Sequence, residues 1–379
     1  MPHLRPFVAA VVRPIPITTR EERIAELDRA GHNPFSIRAD KVSIDLLSDS
    51  GTGAVSVDQQ AWSQRADERY AGAESYYRFQ DAVRDLVPYQ HVLPVHQGRA
   101  AERVLFGALL EPGQISLSNM HFDTTRADVE LLGAEARDLP SAEAFDLSSD
   151  EPFKGNIDVD AVKGVLDGPD GHRVGQILVT ITNNGVGGHP VSMSNLAEIS
   201  AVAREHGVPL ILDAARFAEN AWLVTRREPG YPDWSPRDVA RRAFELADGA
   251  VASLKKDGLS HDAAFLAERL HAAGVQTVRP TALNAVYVNA GTLLPHLKPQ
   301  ELPDQALSCA LYREGGIRCS GGSLFMGVFD ENNELVVAPP FELVRLALPR
   351  RVYDRSHWST SPRSWPALPK TPNRSPATA

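Results

Sequence analysis

A chain of 379 residues, 43% hydrophobic and 23% charged, is long enough for about two globular domains with real cores. Its net charge of −9 argues against a nucleic-acid or anionic-membrane partner, yet leaves room for a phosphate-bearing small molecule held by local donors. Two cysteines, Cys309 and Cys319, make no readable disulfide or zinc framework, and no apolar run nears the ~20 residues of a membrane span, so a reduced cytoplasmic setting is expected.

Residues 1–45 are rich in Pro and Arg and read as an arm or a piece of a small domain. The apolar stretch Phe7–Val12 is too short for a signal peptide, and Arg13 and Pro14 end it. Ile24 and Leu27 share one face of a predicted helix over 20–30, which Gly31-His-Asn-Pro34 stops.

From about residue 50 the pattern alternates. The spacing predicts a helix over 99–110, a strand over 114–118 and a buried strand over 176–181. A helix over 192–206 follows, with Ser192 as N-cap and Gly207 as its stop. Then come a strand over 209–212, a helix over 236–248 and a strand over 250–254. Alternation of this kind implies an α/β fold with a mainly parallel sheet, whose ligands bind beyond the carboxyl ends of the strands.

After residue 265 the chain reads as helix 265–273, strands 275–278 and 285–288, and a further α+β piece to Tyr353. The expected units are therefore 1–45, a large domain over 46–262, a smaller one over 263–353, and a Ser/Pro-rich tail over 354–379 without periodicity, read as disordered.

Asp213 and Lys256 lie at the ends of two apolar runs, 208–212 and 249–254. An amine that can form a Schiff base, with a carboxylate to hold a pyridinium nitrogen protonated, is what a pyridoxal phosphate (PLP) site needs. Each residue also has a plainer reading. Asp213 can cap a helix or pair with Arg216, and Lys255-Lys256 can be a solvated turn. His96-Gln-Gly-Arg99 runs into a helix N-terminus and suits an anion, as many turns that bind nothing also do. Phe122 can be core or can stack on a planar cofactor. Asn184 sits in a Gly-rich loop and can serve the loop or a phenolic oxygen. Arg345 interrupts an apolar run, so it snorkels or meets a buried anion. Tyr70 can pack or act as a phenolic acid.

The order of these signals, with their flanking residues, resembles the β-eliminating lyases, tryptophanase and tyrosine phenol-lyase. The stretches that carry the resemblance are Asp45–Thr52, Tyr70-Ala-Gly72, His96–Arg99, Asn119–Thr125, Gly187–Ser192, Asp213–Arg216, Lys255–Asp257 and Val344–Tyr353. The resemblance implies the aspartate-aminotransferase fold (fold type I). It gives Lys256 the Schiff base, Asp213 the pyridine nitrogen and Phe122 the ring face. Gln97, Gly98, Arg99 and Ser253 would hold the phosphate, and Asn184 and Arg216 the phenolic oxygen. Arg345 would clamp the substrate carboxylate. Tyr70, from the chain itself or a neighbouring subunit, or Asp123, would protonate the leaving group. A potassium ion near Glu68 and the Gly51 carbonyl, and assembly into a homo-oligomer, dimer or tetramer, are implied as well. Phe122-Asp-Thr-Thr125 looks like tryptophanase, whereas the phenol-lyase has Thr at position 123. Cys319-Ser-Gly-Gly322 lacks an Arg to meet a phenol.

Two stretches depart from the pattern. After Lys256–Ser260 the chain passes almost at once to Phe265–Leu270, without the strand, loop and long helix the family has there. After Tyr353 the family's last helix and strand, with a catalytic His, are replaced by the Ser/Pro-rich tail. Loss of a strand beside the lysine strand would leave a sheet edge open. The expected function is a PLP-dependent carbon–carbon lyase releasing indole from L-tryptophan. The alternatives are a degenerate homologue that at most binds PLP, and a lyase for tyrosine or another β-substituted amino acid.

Overall fold

The computed structural model describes residues 13–51, 53–67, 69–256, 262–322, 327–332, 334–353 and 357. Glu68, most of the stretch after Lys256, the run 7–12 and nearly all of the tail therefore lie outside the described residues.

The chain begins with helix α1 (Arg20–Arg29), started by a reciprocal cap in which the Thr19 hydroxyl accepts from the Glu22 N–H and the Glu22 carboxylate accepts from the Thr19 N–H. A short strand β1 (Ile44–Asp45) and two exposed helices, α2 (Val57–Arg65) and α3 (Glu74–Arg84), follow. Then strand and helix alternate: α4 (Gly98–Leu109), β2 (Ile115–Ser118), α5 (Asp123–Leu131), β3 (Glu135–Asp138), α6 (Val159–Leu166), β4 (Val174–Thr180), α7 (Met193–His206), β5 (Leu210–Asp213), α8 (Phe217–Arg227), α9 (Pro236–Glu245) and β6 (Gly249–Val251). The five strands form one parallel sheet in the order β3-β2-β4-β5-β6. Ile177, Leu178 and Val179 on the central strand β4 are fully buried, as strands covered on both faces require. Helix α7 starts and ends as its sequence predicts. The Ser192 hydroxyl accepts from the Asn195 N–H, and Gly207 takes the left-handed φ of 65° that a side chain resists.

The second unit contains α10 (Asp262–Ala272), β7 (Ala285–Asn289), α11 (Ala290–Leu293), α12 (Pro303–Gly315), β8 (Ile317–Arg318), β9 (Ser320–Gly321), β10 (Val328–Phe329), β11 (Leu335–Val337) and β12 (Leu343–Ala347). Its antiparallel sheet has the order β7-β12-β9. The N-terminal segment joins this unit: α1 packs on α12, and β1 pairs with β8.

Two strand expectations need correction. The stretch 275–278 is not a strand. Thr277 alone bridges Val288, because Gly274 and Pro280 bracket too short a run for a ladder. The lysine strand ends at Val251, and Leu254 and Lys255 lie in a turn. Among the described residues no strand covers the outer side of β6, and Leu254 beyond it is 61% exposed.

One buried carboxyl ties the two units together. Glu219 of α8 accepts the Leu283 and Asn284 N–H groups on one oxygen, at 3.0 and 3.1 Å. Its other oxygen is buried with no partner among the described residues. Burial pushes this carboxyl up to about 7, against the opposing pull of Arg216. The folded chain thus holds the Glu219 proton more tightly than the unfolded chain, whose carboxyl titrates near 4.5. This contribution is full below pH 4.5 and disappears as pH rises through 7. Glu219→Gln keeps the acceptor and removes the charge. It should match the parent at pH 4.5 and exceed it by up to about 3 kcal/mol at pH 8 in urea denaturation. Equal stability differences at the two pH values would contradict a protonated Glu219.

Candidate active site

The carboxyl ends of β4, β5 and β6 meet the N-terminus of α4 and Arg345 of β12, the middle strand of the smaller sheet, around a cavity of about 320 Å³. Asp213 ends β5. Its side chain accepts the Ala215 N–H at 3.1 Å and so shapes the turn before α8. It does not cap that helix, whose N-cap is Arg216. Nor does Arg216 pair with Asp213. It makes a two-nitrogen pair with Asp49, at 2.9–3.1 Å. Arg345 of β12 does not snorkel, since it too reaches Asp49, at 2.8 Å.

The turn after β6 separates the two lysines. Lys255 is exposed, and its aliphatic stem lies beside Gly51. Lys256 enters the cavity, its N–H closing a turn onto the Ser253 carbonyl. Its Nζ stands 5.9 Å from the centre of the Phe122 ring. Burial, and then the neighbouring Arg216 charge, draw its amine below the usual lysine range. Burial raises Asp213 above the usual carboxylate range, with the Lys256 charge opposing.

Gly98 opens α4 directly against Ser253. A β-carbon there would stand 2.8 Å from that of Ser253, so only glycine lets the helix end and the lysine turn meet. Gln97, the N-cap, makes no side-chain capping bond. Gln97, Gly98, Arg99 and Ser253 thus surround one mouth of the cavity, with a helix dipole aimed into it. Asn184 also lines the cavity, and its side-chain oxygen accepts from the Tyr287 hydroxyl at 2.6 Å. Asp123 begins α5, beside the lining residues Phe122 and Thr124, and burial raises its carboxyl.

Not every predicted residue is brought in. Tyr70 is fully exposed at the turn before α3 and does not line this chain's cavity. Nor does Gly51 line it; Gly51 follows the lining residue Ser50 and has a left-handed φ of 73°.

Three site residues escaped single-residue reading: Asp49, Glu102 and Tyr287. Asp49 had a signal, since it lies inside the matched stretch 45–52. Glu102 shares the inner face of α4 with Phe106, four residues on, and that spacing was available. It accepts from the Thr125 hydroxyl at 2.5 Å, and burial, then the charge of Asp213, push it up to about 7.

A planar pyridine carrying a phosphate suits this donor set. The helix mouth offers an anion cup, Phe122 a ring face, Asp213 a half-buried acceptor and Lys256 an amine between them.

Comparison with known proteins agrees with that chemistry. A family model described as beta-eliminating lyase matches residues 45–360. The chain belongs to the β-eliminating lyase family. It is 42% identical to a tryptophanase of Hyphomonas neptunium over 93% of this chain and 90% of that protein. It is 34% identical to a tyrosine phenol-lyase of Pasteurella multocida, again over 93% and 90%. Among solved structures, aspartate aminotransferase from Thermotoga maritima shares the fold, with a TM-score of 0.51 at 15% identity, covering 88% of this chain and 93% of that one. The fold is therefore fold type I, and family and site together make this β-eliminating lyase a PLP enzyme. The Hyphomonas alignment spans 413 positions but uses 93% of 379 residues, about 350, so some 60 positions face gaps in this chain.

Proposed function

We propose that the lyase acts on L-tryptophan and releases indole, pyruvate and ammonia. The observation that carries this reading is the placement of Lys256 over Phe122, with Asp213 lining the same cavity and Asp123 adjoining the ring residue. PLP, when bound, supplies the sink for the charge left as the α-proton departs. Lys256 takes that proton, and burial beside Arg216 keeps its amine more readily unprotonated and so free to accept one. Asp213 keeps a proton at the ring nitrogen. Arg345 orients the substrate carboxylate, and an acid, Asp123 or Tyr70, delivers a proton to the indole ring carbon. The full exposure of Tyr70 supports a reading in which it serves a neighbouring copy's site within a homo-oligomer. A potassium ion at Gly51 and Glu68, and a cytoplasmic setting, belong to the same reading. No helix among the described residues is long and apolar enough to cross a membrane.

The test is direct. The purified chain with added PLP is given L-tryptophan or L-tyrosine, and indole, phenol and pyruvate are measured. Indole with equimolar pyruvate is the expected result. Phenol in preference to indole would move the reading to tyrosine, and no product above a buffer control would leave the impaired homologue.

A further inference from the structure

Asp49 is 5% exposed and has two guanidinium groups on its one carboxylate. Arg216 donates from Nε and Nη2, and Arg345 from Nη2. The two arginines come from different places: Arg216 from the turn after β5 of the parallel sheet, Arg345 from β12 of the antiparallel one. The segment carrying Asp49 is laced into the second sheet. The Leu46 N–H bonds the Arg318 carbonyl at 2.7 Å, and the Leu46 carbonyl accepts the Ala347 N–H at 3.0 Å. Ala347 lies two residues from Arg345, so both point from one face of β12 and the backbone register sets Asp49 opposite the guanidinium.

The charges do not balance. One carboxylate faces two cations, of which Arg216 is buried and Arg345 half-buried. Arg345 Nε is itself buried with no hydrogen-bond partner among the described residues. These three groups carry one surplus positive charge, and Arg345 lines a cavity that Lys256 and Asp213 also enter.

We propose that Asp49 is the positioning residue of this site, setting Arg216 on the cofactor side and Arg345 on the substrate side with one carboxylate, and leaving a single positive charge for the substrate carboxylate. This rests on the lyase reading above and adds a residue to it. The arrangement has two separable consequences. The charge of Asp49 offsets Arg216 beside the cofactor's phenolic oxygen. Its reach fixes where Arg345 meets the amino acid.

Two variants separate them, both read on the full chain loaded with PLP and without turnover. In Asp49→Asn the carboxylate is gone, so the field at the cofactor is more positive. Lys256 and Asp213, which also face the cofactor, are the same in both proteins. Positive charge favours loss of a proton, so the midpoint of the visible absorbance change with pH should fall by about one unit. In Asp49→Glu the charge remains but the longer side chain moves the guanidiniums. The midpoint should hold, while L-alanine, an amino acid with no β leaving group, should bind about tenfold more weakly by absorbance titration. Circular dichroism confirms folding, and if Asp49→Asn does not fold, Asp49→Glu alone decides. A folded Asp49→Asn with the parent midpoint, or Asp49→Glu with parent L-alanine affinity, would overturn the role. If the parent itself takes up no PLP, the lyase reading falls and this one with it. If the parent binds both and the variants match it, only Asp49 is lost.

Discussion

Replacing Lys256 with alanine is expected to leave a folded chain whose indole release falls by more than about a thousandfold. The lysine sits in a turn after the last strand of the parallel sheet, and its backbone bond to Ser253 does not depend on the side chain. The loss is therefore chemical. Its Nζ is the amine above Phe122, and burial with the Arg216 charge leaves it less basic than an ordinary lysine, as nucleophile and base both require. Lys255 also lines the cavity, but it is exposed, its stem lies beside Gly51, and it is Lys256 whose Nζ stands over the Phe122 ring. Indole is followed by absorbance with matched melting curves. Turnover within tenfold of the parent would remove Lys256 from the mechanism.

Asp213→Asn should lower kcat by about 10²–10³ while PLP still binds. Asparagine keeps an oxygen for the Ala215 N–H, so the turn before α8 survives. What it lacks is a charge. Burial makes Asp213 a stronger base than a surface carboxylate, able to share a proton with a ring nitrogen set against it. An amide stabilises the protonated ring much less, and removal of the α-proton slows. PLP affinity from absorbance titration and kcat from indole release separate binding from chemistry. An unchanged kcat would mean that Asp213 serves the fold alone.

The open edge at β6 bears on both experiments. Among the described residues no strand flanks the outer side of β6, yet Lys256, Phe122 and Asp213 line one cavity. They converge because each is placed from the inner side, by β5, by the start of α5 and by the contact of Gly98 with Ser253. Contacts across the outer side of β6 contribute to none of these.

Much of the parallel sheet was legible in sequence. Apolar runs at 176–181 and 209–212, and the Ser192 and Gly207 signals around α7, depend on local periodicity and capping, which a sequence displays directly. The run at 275–278 misled because β-branched residues there fill a core without forming a ladder. Val275 and Val278 are buried in loops. Asp213 and Lys256 were legible as a pair because strand ends in α/β sheets gather ligands.

The sequence by itself determined the alternation of strand and helix and the family, and it pointed to the lysine, aspartate and glycine-bearing turn that line one cavity. Only the tertiary structure decided who neutralises whom. Arg216 lies three residues from Asp213 and pairs instead with Asp49, 167 positions away, while Arg345 reaches the same carboxylate across 296. Ion pairing inside a core depends on which side chains are desolvated together, and sequence spacing carries no record of that.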